Sequence, residues 1–124
     1  MDAEKLSDAE IKLMTLIWAH GPIGAKDLAQ LAGRLIGWNK NTTYTVANKL
    51  AAKGAIEREE PGFVCVARAT REDVLLNEVN DLVDKLCGGS LRSFFQTLLS
   101  AGRLSWWELH ELSEIIESLK RRCG

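Results

Sequence analysis

Trp38-Asn39-Lys40-Asn41-Thr42-Thr43-Tyr44-Thr45-Val46-Ala47-Asn48-Lys49-Leu50 reads as a helix whose inner face is apolar and whose outer face carries hydrogen-bonding and cationic groups. At a pitch of about 100° per residue, Thr43, Val46, Ala47 and Leu50 fall on one stripe. Asn41, Thr45, Asn48 and Lys49 then point the opposite way, with Thr42 and Tyr44 on the flanks. Short amides and hydroxyls reach base edges in a DNA major groove, a Thr methyl meets thymine, and Lys meets phosphate or guanine. No carboxylate interrupts residues 38 to 53, where an acid would face a phosphate backbone. The competing reading is an ordinary solvated helix face.

The flanking segments carry clear start and stop signals. Upstream, Ser7-Asp8-Ala9-Glu10 is a capping box with Leu6 and Ile11 as hydrophobic staple; Ile11, Met14, Ile17 and Trp18 continue the apolar stripe until Gly21-Pro22. A second helix, about Ala25 to Ile36, places Ala25, Leu28, Ala29 and Ala32 on one face and closes at Gly37. The third, capped by Asn39 or Asn41, ends at Gly54. Downstream, Ile56 to Arg68 forms two short extended runs around Pro61-Gly62, a pair suited to a type II turn. Three helices followed by a hairpin are the layout of a winged helix-turn-helix, with the third helix as reader and the hairpin as wing.

Beyond residue 69 the pattern changes. Thr70 caps a helix with Leu75, Val79, Leu82, Val83 and Leu86 along one face, ending at Gly88-Gly89. Ser90 caps the next, with Leu91, Phe94, Phe95, Leu98 and Leu99. Ser105-Trp106-Trp107-Glu108 is a second capping box, after which Leu109, Leu112, Ile116 and Leu119 follow at a/d spacing before Lys120-Arg121-Arg122. Helices joined by such short linkers bury little within one chain. Leu75, Leu82, Leu86, Leu109, Leu112, Ile116 and Leu119 are therefore the candidate dimerisation residues. Folding back onto the N-terminal domain is the alternative. The expected class is mainly α with a small β-hairpin wing: a winged-helix domain over residues 1–69 and a helical dimerisation domain over 70–124.

Composition limits the remaining choices. With 124 residues, 46% of them hydrophobic, the chain accommodates one core or a small domain plus an oligomerisation segment. No apolar run approaches the ~20 residues that span a bilayer, and Met1 to Lys5 lacks a signal-peptide layout, so the expectation is a cytoplasmic protein without a membrane partner. Cys65, Cys87 and Cys123 are widely spaced and odd in number, against a disulfide framework or a zinc site. Net charge is -1, yet Lys26, Arg34, Lys40, Lys49, Lys53 and Arg58 face only Asp27 and Glu57 between residues 26 and 58. Such local asymmetry suits placed contacts rather than bulk attraction to nucleic acid.

These residues together resemble the penicillinase repressor family, winged-helix repressors of the BlaI/MecI type. The resemblance rests on Leu6-Ser7-x-x-Glu10 with Ile17-Trp18; on Trp38 to Leu50 with Lys53-Gly54 and Ile56-Glu57-Arg58; and on Arg71-Glu72, Gly88-Gly89-Ser90 and Leu104-Ser105-x-x-Glu108-Leu109. It implies a homodimeric repressor on a near-palindromic, double-stranded DNA operator of the TACA/TGTA type. Thr42 and Thr45 would make the closest contacts, with Lys40, Asn41, Tyr44, Asn48, Lys49 and Lys53 around them, and the last three helices would dimerise. Family members are cut by a sensor protease at an Asn-Phe bond; counted from Gly88-Gly89, that position is Thr97-Leu98 here, a departure from the pattern. The cysteine-rich tail of copper-responsive members is reduced to Cys123, and the wing carries Glu59, Glu60 and Phe63 where basic character is common.

Other constellations point away from chemistry. His20 and His110 have no partner ligand at metal spacing, Trp106-Trp107 is read as packing, and Cys87 is read as a small core residue. The duller reading of Cys123, despite the three cations before it, is a frayed terminus. Neither a Gly-rich phosphate loop nor a Gly-x-Ser-x-Gly turn is present, so no enzyme, metal or cofactor is expected. The alternative function is a winged-helix protein-interaction module without specific DNA readout.

Overall fold

The computed structural model describes residues 5–123; Met1 to Glu4 and Gly124 lie outside the described residues. The elements run α1 (Asp8–His20), β1 (Ile23–Gly24), α2 (Ala25–Leu35), α3 (Lys40–Ala52), β2 (Ile56–Glu59), β3 (Val64–Ala67), α4 (Arg71–Leu86), α5 (Leu91–Ser100) and α6 (Trp106–Cys123). They group into two compact units that part within α4, after Val79.

In the first unit, α1 opens on the capping box: the Ser7 hydroxyl accepts from the Glu10 N–H and the Glu10 carboxylate accepts from the Ser7 N–H at 2.7 Å. The helix buries Leu13 and Leu16 as well as Met14 and Ile17, a wider apolar face than the stripe of the sequence. Helices α1, α2 and α3 pack on one another. At their meeting point Leu13, Met14, Ile17, Leu28 and Leu50 are fully buried, each contributing about 1.5–3 kcal/mol of burial free energy. The Trp18 indole N–H donates to the Ala69 carbonyl at 2.9 Å, and Val74 joins the same core, which carries this unit into α4.

The wing is a three-stranded antiparallel sheet in the order β1-β3-β2. Ile23 pairs with Cys65 and Gly24 with Val64 on one edge of β3; Arg58 pairs with Cys65 and Glu59 with Val64 on the other. Pro61 and Gly62 lie at the tip of the β2–β3 hairpin. Glu60 to Phe63 make a four-residue loop with a cis Glu60–Pro61 peptide and positive φ at Gly62 (89°) and Phe63 (50°). β1 adds a strand to the expected hairpin, and beside it the Ala25 N–H donates to the Phe63 carbonyl at 3.0 Å, which ties the loop to the start of α2.

In the second unit, beginning at Asn80, Ser90 caps α5 through the Ser93 N–H, and Ser105 and Glu108 form a reciprocal capping box on α6. Val83 is the only hydrophobic side chain that is buried among the described residues of this unit. Leu82, Leu86, Leu109, Leu112, Ile116 and Leu119 are all exposed, as is Leu75 on the part of α4 that belongs to the first unit. No helix among the described residues is long and apolar enough to cross a membrane.

Candidate nucleic-acid interface

The interface is built on α3. The Asn39 side chain, not that of Asn41, caps it by accepting from the Thr42 N–H at 2.8 Å, and the first turn contains no acid. Thr43, Val46, Ala47 and Leu50 are buried as the periodicity requires, and the Thr43 hydroxyl points back to the Asn39 carbonyl at 3.4 Å. Burial of that stripe fixes the rotation of the helix. Lys40, Asn41, Thr45, Asn48 and Lys49 are consequently exposed and Thr42 and Tyr44 half-buried. The Lys40 ammonium lies 5.7 Å from the Tyr44 ring centroid, a cation–π contact one turn apart on the helix.

Lys53 is placed differently. Its ammonium is 2.7 Å from Glu10 Oε1 and 2.8 Å from the Lys5 carbonyl, so it joins the end of α3 to the start of α1. Glu10 is itself 2% exposed. Burial pushes its carboxyl upward, but hydrogen bonds from Lys53 and Ser7 outweigh this and hold it below its ordinary range. Glu10 Oε2 has no hydrogen-bond partner among the described residues, which leaves Lys53 as the one cation holding a buried charge.

Two residues outside the expected set complete the surface. Arg58 on β2 donates from Nη1 to Asn48 Oδ1 at 2.6 Å, and its guanidinium lies 5.9 Å from the Phe63 ring centroid. Lys26, at the start of α2, lines with Tyr44, Asn48, Arg58 and Phe63 a cleft of about 390 Å³ between α3 and the wing. Both cations stood in the local charge count, but nothing in their spacing showed that they would converge on α3. The wing acids are partly neutralised on the other side of β2: Glu57 is paired with the Arg68 guanidinium. No cluster of His, Cys, Asp or Glu that could hold a metal ion occurs among the described residues.

In the second unit, Thr97 is exposed and Leu98 half-buried within α5, where they border a cleft with Leu82, Leu86 and Phe94. His110 stacks on Trp106 at 6.1 Å between centroids and its Nε2 lies 3.2 Å from Glu114.

Comparison with known proteins agrees with this layout. The sequence is 28% identical over 120 residues to a penicillinase repressor of Bacillus licheniformis, spanning 95% of this chain and 94% of that protein. It is 23% identical over 114 residues to the methicillin resistance regulatory protein MecI of Staphylococcus aureus, spanning 90% of this chain and 93% of MecI. Among solved structures it is similar to the DNA-binding domain of the repressor BlaI, with a TM-score of 0.53 and 27% identity, covering 59% of this chain and 90% of that one. The monomeric form of Bacillus licheniformis BlaI in complex with the blaP half-operator gives a TM-score of 0.50 at 27% identity, covering 57% of this chain and 89% of that one. Residues 6–118 match the penicillinase repressor profile, and the chain belongs to the penicillinase repressor family.

Proposed function

We propose that this chain is a sequence-specific, DNA-binding transcriptional repressor that acts as a homodimer on a near-palindromic operator. The observation that carries the reading is the outer face of α3: Asn41, Thr45, Asn48 and Lys49 are exposed together on a winged-helix domain, with no carboxylate between residues 38 and 53. A relative of the same fold is known in complex with a half-operator, which supports DNA as the ligand. Thr42, Thr45 and Asn48 read base edges; Lys40 and Lys49 meet phosphates. Tyr44 braces Lys40, and Lys53 serves the fold rather than the DNA.

The homodimer is supported by the exposed apolar side chains on α4 (Leu75, Leu82 and Leu86) and on α6 (Leu109, Leu112, Ile116 and Leu119), which a second copy would cover. Helices from residue 70 onward are proposed as the dimerisation domain. Two copies of α3 related by a twofold axis demand half-sites about one helical turn apart or a multiple of it. Because Thr97-Leu98 departs from the Asn-Phe bond cut in the family, release is proposed to come either from a protease of altered specificity acting at that bond or from another signal. Termini at that bond in induced cells support the protease, and a chain that stays intact throughout induction excludes it.

Footprinting with the full chain on the promoter DNA beside its gene tests the function. Protection of an inverted repeat is the expected result. Uniform protection or none at all contradicts it and favours a protein-interaction module.

A further inference from the structure

We infer that Arg58 is a positioning residue that sets which end of the Asn48 amide faces DNA, making Asn48 a reader that presents its N–H donors and disfavours cytosine on the strand it meets. The inference rests on α3 being the DNA-facing helix. Along β2, side chains alternate between faces, so Arg58 shares the side of Ile56, which is buried where β2 packs on α3, while Glu57 and Glu59 point the other way. That alternation puts a cation, and neither acid, against Asn48.

Arg58 Nη1 lies 2.6 Å from Asn48 Oδ1. A guanidinium carries five N–H donors and no acceptor, so the amide must turn its oxygen to Arg58; the reverse orientation sets donor against donor. The guanidinium is itself held over the Phe63 ring, and Phe63 is tied by its carbonyl to the Ala25 N–H at 3.0 Å. Wing, loop and the start of α2 thus converge to fix one amide plane. Asn48 is exposed; Arg58 takes one acceptor site of Oδ1 and fixes that end toward β2, so the group offered to a ligand is chiefly Nδ2 with its two N–H donors.

In the major groove guanine offers N7 and O6, adenine N7, and thymine O4 as acceptors, whereas cytosine offers only the N4 amino donor. On the strand it meets, a side chain that presents its donors therefore accepts guanine, adenine and thymine and disfavours cytosine, because the acceptors of a C·G pair lie on the guanine of the other strand. A freely rotating amide would not discriminate in this way, because its oxygen could turn to meet the cytosine amino group.

The test is selection from a randomised duplex DNA library by the full chain, comparing base frequencies at every position for wild type, Arg58→Ala, Asn48→Ala, Asn48→Asp and the double alanine variant. In wild type, one position per half-site should show cytosine depleted about tenfold, within the usual worth of a base contact. Arg58→Ala should abolish that depletion while other positions keep their ranking. In the Asn48→Ala background, Arg58→Ala should change nothing further at that position. Asn48→Asp keeps a partner for Arg58 but offers acceptors alone, and should turn the preference toward cytosine and adenine. Cytosine depletion that survives Arg58→Ala, or that shifts equally without Asn48, overturns the inference while leaving the DNA-reading role of α3 intact. Failure of the wild-type chain to enrich any sequence overturns that role and the inference together.

Discussion

Glu10 and Lys53 are 43 positions apart, and nothing in either local pattern announces their pairing. The capping-box role of Glu10 was legible because its partner Ser7 is a neighbour; its burial was not, because burial depends on how the end of α3 is packed over α1. Lys53, one of the cations on a carboxylate-free stretch, looked equally suited to phosphate. Lys53→Met should therefore leave the salt dependence of DNA binding almost unchanged but cost about 3 kcal/mol of folding stability, because it strands a buried carboxylate. Urea unfolding and salt titration of binding check the two halves, and a drop of about one in salt slope with unaltered stability would restore Lys53 to the DNA surface. The pH dependence follows from the depressed pKa of Glu10. A lowered folded-state value means that the unfolded chain takes up the proton first, so the stabilisation is present above the ordinary carboxylate range and is lost as pH falls through the folded value. Wild type should lose stability on acidification more steeply than Glu10→Gln; parallel curves would show that the pair contributes nothing. Cys65 offers a further check: it is fully buried and burial pushes its thiol upward, while Cys123 is exposed. A thiol reagent should label Cys123 rapidly in the native protein and Cys65 only on unfolding.

The helices were the easiest elements to read, because each carries its own boundary signals. Ser7, Ser90 and Ser105 cap where their spacing to the first turn indicated, and all four positions of the α3 stripe are buried. The strands were harder. β1 is only Ile23–Gly24, too short for any alternation, and exists because β3 supplies a free edge some forty positions later. Beside that third strand the loop after Pro61 is also tied to α2, a contact that no local turn preference announces. Arg58 shows the same limit in the interface: β2 was visible, but its contact with Asn48 depends on the register of the sheet against α3. Capping sets the start of α3, so Asn39→Ala, which leaves the Thr42 N–H without its acceptor, should lower stability by about 1 kcal/mol. Thermal unfolding that is unchanged in this variant would show that packing alone holds the helix.

Each of the two units has its own relation to solvent. The first closes around a core to which α1, α2, α3, the wing and the first part of α4 all contribute. The second buries Val83 but leaves Leu112 at 38% and Ile116 at 52% exposure, unusual for side chains of this size at regular a/d spacing. Replacing Leu112 and Ile116 with Glu should give a monomer by sedimentation and weaken operator binding at least tenfold, since the second half-site is no longer tethered. A monomeric wild-type chain at micromolar concentration would contradict the proposed assembly. The role of α3 as reader is tested by equilibrium binding of wild type, Thr45→Ala and Asn48→Ala to the protected operator and to random duplex across a range of salt. Affinity for both DNAs should fall steeply with salt, and each substitution should cost about 1–3 kcal/mol on the operator and little on random DNA. Unchanged operator affinity and an unchanged ratio of specific to random binding in both variants would show that α3 does not read the sequence.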